Sequence, residues 1–142
     1  MSTITLSDCR RLSWRYDDTY YSSAGGVDQG RTVFLDANRI AERLRSSQSL
    51  VVGELGFGTG LNFLATWQLW RELKSDARLT FISTEAHLLG IDDVARAYEA
   101  FPELAEFATL LQARWPTGEG FNLLEFARGK VRLLLLVGDA LA

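Results

Sequence analysis

Apolar and polar positions change period several times along the chain, and each change marks an element. Leu50, Val51 and Val52 run together and stop at Glu54, which predicts a buried strand over 50–54. The period then turns helical across 60–73. There Phe63, Trp67 and Trp70 recur at i, i+4 and i+7, a stripe that belongs to a core or a domain interface. A second apolar run predicts a strand over 79–84, and strand–helix–strand is a βαβ unit whose handedness makes the two strands parallel neighbours. Asp92 as a cap predicts a helix to about Ala100, and Pro102 suits the first turn of another over 102–114. In that second helix Leu104, Phe107, Ala108 and Leu111 form a core-facing stripe. Phe121–Phe126 and Val131–Val137 predict a hairpin around Arg128 and Gly129. Residues 1–45 are mixed: strand character at Leu12–Tyr16 and Thr32–Leu35 flanks a glycine-bearing loop at Ser22–Gly30, and a short amphipathic helix follows at Arg39–Leu44. The alternation makes the fold class α/β.

Composition narrows the function classes. The chain has 142 residues, 47% hydrophobic and 23% charged, which fits one globular domain. No apolar run approaches the ~18 residues of a membrane span, and no signal peptide opens the chain. The lone Cys9 cannot form an internal disulfide, which suits a reducing cytoplasm. One Cys and one His offer no metal-ligand cluster. The net charge of −3 excludes a global basic field, and the arginines of residues 1–50 read as a solvated face before they read as phosphate contacts.

The densest chemistry lies at Glu54–Asn62. After the acidic strand end, Gly56, Gly58 and Gly60 occupy alternate positions and a helix begins at once. A strand that breaks into such a turn lays bare backbone beside a ligand. A dinucleotide fingerprint would need glycine at position 61, where this chain has Leu61. The form Glu-x-Gly-x-Gly-x-Gly instead resembles motif I of the S-adenosylmethionine-dependent methyltransferases. Glu85, at the end of the second strand, sits where dinucleotide folds carry the acidic residue that accepts ribose hydroxyls. Thr59 and Asn62 lie where the helix begins, and helix capping is an equal reading for both. His87, the sole histidine, follows Glu85 in a loop and gives little ground for a general base.

Longer phrases sharpen the resemblance. Asp17-Asp18-Thr19-Tyr20-Tyr21-Ser22, Val33-Phe34-Leu35 with Asn38, Glu54 through Leu64, Phe81-Ile82-Ser83 with Glu85, Trp115-Pro116 and Gly138-Asp139 together are similar to the N-terminal, methyltransferase part of the bifunctional tRNA 5-methylaminomethyl-2-thiouridine biosynthesis proteins. The resemblance implies a class I, Rossmann-like, doubly wound sheet that binds S-adenosylmethionine and methylates an aminomethyl group on the wobble uridine of tRNA. In bifunctional members a separate flavin (FAD) domain follows, and none of it is present in these residues. The implied cofactor-binding set is Glu54, Gly56, Phe57, Gly58, Thr59, Gly60, Asn62, Glu85 and Asp139. Within it Glu54 faces the ammonium of the methionine moiety, Glu85 the ribose and Asp139 the adenine amino group. Asp17, Asp18 and Tyr20 are weak candidates for the acceptor entrance, an ordinary turn being the equal alternative, and no catalytic base is identified.

On this reading residues 1–48 are a leading segment and 49–142 a Rossmann-like half, truncated after about the third core strand. The strand over 50–54 is then expected to be an unpaired edge unless the leading segment covers it. Two rival readings stay open: a non-catalytic fragment that binds the cofactor weakly or not at all, and a different Rossmann-type nucleotide-binding protein.

Overall fold

The computed structural model describes the backbone of residues 2–4 and all of residues 33–139. Five strands form one sheet in the order β1-β2-β3-β5-β4: β1 (Ser2–Ile4), β2 (Ser49–Leu55), β3 (Arg78–Glu85), β4 (Gly120–Phe126) and β5 (Val131–Val137). The β1–β2, β2–β3 and β3–β5 pairs are parallel, and β4 closes the sheet antiparallel to β5. Among the described residues it is accompanied by α1 (Ile40–Ser46), α2 (Leu61–Glu72), α3 (Ile91–Tyr98) and α4 (Ala105–Gln112), with residues 33–37 also helical. The α/β class is therefore observed.

Strand alternation decides which residues turn inward. Leu50, Val52 and Glu54 on β2, Leu79, Phe81 and Ser83 on β3, and Val131, Leu133, Leu135 and Val137 on β5 are buried, while their neighbours along each strand are less so. Helix α2 lays its aromatic stripe on this face: the Phe63 ring stands 5.5 Å from that of Phe81, and Trp67 stacks 4.7 Å from Phe126 and 4.9 Å from Phe107 of α4. The expected stripe of Leu104, Phe107, Ala108 and Leu111 is buried throughout. At its end α2 closes through Lys74 in the left-handed region (φ 50), with Ser75 N–H donating to the Trp70 carbonyl, a Schellman-like stop without the usual glycine.

From β2 to β3 to β5 the chain steps across the sheet in one direction, so right-handed crossovers place their helices on the same face. Among the described residues the parallel strands β1, β2, β3 and β5 lie in chain order, and the one step back, from β4 to β5, is the antiparallel hairpin, so the reversal between parallel strands expected of a doubly wound sheet is not seen there. On the opposite face Ile82, Leu123 and Phe121 are 38%, 57% and 77% exposed, and Leu134 and Leu136 beside them are half-buried.

Several expectations need correction. The strand over 50–54 is not an unpaired edge, because Ser2–Ile4 pairs with Leu50–Val52. The strand expected over Thr32–Leu35 is not seen in its described part: residues 33–37 are helical, and Asn38 donates its side-chain amide to the Phe34 carbonyl at 2.8 Å, closing that turn. Helix α3 starts after Gly90 rather than at an Asp92 cap, so Asp92 falls in the first turn, where its charge suits the helix dipole. The helix expected over 102–114 begins as a 3-10 turn at Pro102–Leu104 and ends at Gln112. The expectations for Leu12–Tyr16 and Ser22–Gly30 lie outside the described residues.

Candidate functional site

The inward row of β2 ends on an acid, and the neighbouring row of β3 carries a serine at the same level. The register pairs Glu54 with Ser83, both turned toward the helices, where the rows below them are apolar. Ser83 donates its hydroxyl to Glu54 Oε1 at 3.1 Å, and Asn62, in the first turn of α2, donates Nδ2 to Glu54 Oε2 at 2.9 Å. Glu54 is 3% exposed, and no salt bridge reaches it among the described residues. Burial pushes its carboxyl up to about 8; the Asn62 and Ser83 hydrogen bonds pull the other way, and the like charge of Glu85 adds to the rise.

The glycine turn follows directly. Gly56 N–H and Phe57 N–H both donate to the Thr84 carbonyl at 2.9 Å, which ties the turn to β3. Gly56 and Gly58 have φ of 86° and 58°, and a Cβ built on either would meet nothing within 4 Å. Gly60 differs. Its φ is 80°, but a Cβ there would lie 2.6 Å from the Phe57 ring, so this glycine serves internal packing. Phe57 itself is buried, its ring packed against Gly60 and 5.9 Å from that of Trp115. Thr59 accepts a hydrogen bond at its carbonyl from the Tyr98 hydroxyl, which braces α3 against the turn.

Glu85 reaches across from the end of β3. Its Oε2 accepts Gly58 N–H at 2.9 Å and its Oε1 accepts His87 N–H at 3.3 Å, so one carboxylate fixes the glycine turn and the loop after β3. Gly138 N–H donates to the Glu85 carbonyl at 2.9 Å, which brings Asp139, exposed, to the same end of the sheet. A hollow of about 580 Å³ opens here between Leu88–Ile91, Trp115–Glu119 and Val137. A larger one, about 950 Å³, lies at the opposite end of the strands among Arg45, Lys74–Arg78 and Lys130; no candidate residue lines either hollow.

The structure thus gathers Glu54, Gly56, Gly58, Asn62 and Glu85 around one turn, with Asp139 at the same end of the sheet, and gives Phe57 and Gly60 packing roles. Asp17, Asp18 and Tyr20 lie outside the described residues. Ser83 was not singled out by sequence reasoning; its signal is a polar residue in an otherwise apolar inward row. No group of His, Cys, Asp and Glu suited to a metal ion occurs among the described residues, and no helix there is long and apolar enough to cross a membrane.

No protein-family model matches the chain. Individual proteins do. It is 46% identical to the tRNA 5-methylaminomethyl-2-thiouridine biosynthesis bifunctional protein MnmC of Pseudomonas syringae pv. tomato, over 97% of this chain and 23% of that protein. Its identity to the same protein of Saccharophagus degradans is 43%, over 90% and 19%, and to that of Pseudomonas fluorescens 44%, over 89% and 20%. Among solved structures, that of MNMC2 from Aquifex aeolicus is 25% identical and superposes with a TM-score of 0.60, covering 85% of this chain and 36% of that one. The chain spans about a fifth of the length of the curated relatives it matches. Over that fifth, which corresponds to the N-terminal part of those proteins, the chain is a homologue of the bifunctional tRNA 5-methylaminomethyl-2-thiouridine biosynthesis proteins.

Proposed function

We propose that residues 49–142 form the donor half of a class I methyltransferase, led by residues 1–48, and that the intact protein methylates the amine of 5-aminomethyl-2-thiouridine at the wobble position of tRNA in the cytoplasm. One observation carries the reading: Glu54, a buried carboxyl without a cationic partner among the described residues, stands beside two glycines whose missing side chains leave open space. A cationic, phosphate-free ligand fits such a wall. A pyrophosphate does not, because the N–H groups of Gly56, Phe57 and Gly58 that would cradle it are already given to the Thr84 carbonyl and the Glu85 carboxylate.

S-adenosylmethionine supplies, when bound, a methyl group on a positively charged sulfur, from which a neutral amine displaces a thioether. The chain's own residues bind and orient. Glu54 takes the ammonium of the methionine moiety, a charge-assisted contact that supplies the counter-ion its burial lacks. Glu85 keeps lone pairs free beyond its two backbone contacts and so can accept ribose hydroxyls without releasing the glycine turn. The apolar walls of Leu88, Ile91 and Val137 suit a purine face, with Asp139 close by for its amino group. Holding donor and acceptor in near-attack geometry supplies up to about 7–11 kcal/mol in well-oriented systems, which reduces the need for a dedicated base.

Calorimetric titration with S-adenosylmethionine tests the reading. Saturable heat, abolished by prior addition of S-adenosylhomocysteine, is expected; no heat and no competition refute it. Saturation by NADH in the same cell would favour a nucleotide-binding oxidoreductase instead.

A further inference from the structure

Glu54 accepts one hydrogen bond at each carboxyl oxygen, and the two donors differ in chemistry. From α2, the Asn62 amide nitrogen can only donate. From β3, the Ser83 hydroxyl, wholly buried, can donate to a carboxylate oxygen or, by turning its O–H, accept from a carboxylic acid proton. The charged group facing this pair is the Glu85 carboxylate, two residues further along β3, and it disfavours a second negative charge. An arriving ammonium group reverses that balance.

We propose that Ser83 is a positioning residue for Glu54, and that ammonium binding at Glu54 is coupled to release of one proton, with Ser83 switching from hydrogen-bond acceptor to donor as the proton leaves. The inference rests on the donor-site reading above and deepens it. The 3.1 Å contact between Ser83 Oγ and Glu54 Oε1 serves in either direction: with the carboxyl protonated in the empty site, Oε1–H donates to Ser83 Oγ in place of the Ser83 donation described above. When the ammonium of the ligand approaches, the Oε1–H bond breaks and the proton passes to solvent. The carboxylate left behind accepts from Ser83, from Asn62 and from the ligand. No other bond changes. The raised proton affinity of the buried acid supports the same picture.

S-adenosylhomocysteine carries the same ammonium group and is the probe. Titrated at pH 6, 7 and 8 in two buffers of different ionisation enthalpy, it should release close to one proton per site at pH 6–7. Affinity should gain about tenfold per pH unit until it levels near pH 8. In Ser83→Ala the carboxylate loses a donor, so affinity at pH 7 should fall about tenfold and the levelling should move to higher pH, while Ser83→Thr should restore both. Ligand-free thermal unfolding of parent and Ser83→Ala from pH 5 to 9 gives an independent readout. Stability falls as Glu54 is forced to ionise, and the midpoint of the fall should move up in the alanine variant. Ligand heat with the same pH profile in parent and Ser83→Ala overturns the coupling alone. No ligand heat at any pH, with the ligand-free decline intact, overturns the donor-site reading and the coupling with it.

Discussion

Replacing Glu54 by glutamine should make the ligand-free chain more stable at neutral pH while removing the group proposed to hold the ligand. The amide has the shape of the protonated acid: its oxygen accepts from Asn62 Nδ2, and its nitrogen donates to Ser83 Oγ, so the first hydrogen bond survives and the second is kept with its direction reversed. What is removed is the need to ionise a buried carboxyl. In the folded chain Glu54 holds its proton up to about 8, against an ordinary value of 4.5. A raised carboxyl binds protons in the folded state that the unfolded chain has already lost, so its stabilisation is complete below 4.5 and disappears as the pH climbs through 8. At about 1.4 kcal/mol per pH unit, the parent should lose roughly 3–4 kcal/mol between pH 5 and pH 8 that Glu54→Gln retains. That is a large share of the ~5–15 kcal/mol that holds a typical domain together. Urea unfolding of both proteins at the two pH values measures it, with the common titrations cancelling in the difference. Parallel pH profiles, or a variant less stable than the parent throughout, would refute the burial argument.

Further substitutions separate packing from ligand contact. Gly60→Ala must fit a methyl against the Phe57 ring as well as adopt a left-handed backbone, so it should cost ~2–4 kcal/mol in chemical denaturation. Gly58→Ala meets only the backbone cost, ~1–2 kcal/mol, and its larger effect should be on the affinity for S-adenosylhomocysteine, read by calorimetry. Trp67→Ala empties the contact among Phe63, Phe107 and Phe126 and should cost ~3–5 kcal/mol in urea unfolding. On the sheet face opposite α2, Leu123→Lys with Phe121→Lys should leave the thermal midpoint nearly unchanged and reduce binding of a hydrophobic dye, since both side chains are already largely in water.

The periodic elements were legible because their residues obey one rule each. Leu50–Val52, the α2 stripe and the hairpin at Phe121–Val137 each answer to a single period, and all three fold as their patterns imply. Val33–Leu35 misled because three apolar residues fit a buried strand as well as one turn of helix, and only tertiary packing of Phe34 and Leu35 decides between them. The pairing of β1 with β2 was invisible because three residues carry too little pattern to announce a strand. At the site, the glycine spacing revealed the turn but not the division of labour within it. That Gly56 and Gly58 open onto space while Gly60 makes room for Phe57 depends on where an aromatic ring folds back, a long-range fact that spacing does not encode. Ser83 is the opposite case: its inward place follows from alternation with Leu79 and Phe81, and a polar residue there points to a buried partner.

Backbone amide shifts on adding S-adenosylhomocysteine test the donor-site assignment residue by residue. The account predicts the largest changes at Gly56 and Gly58, with a second group from His87 to Gly90 and at Gly138. Changes centred instead on the hollow around Ser47, Lys74 and Arg78, or none at saturating ligand, would contradict it.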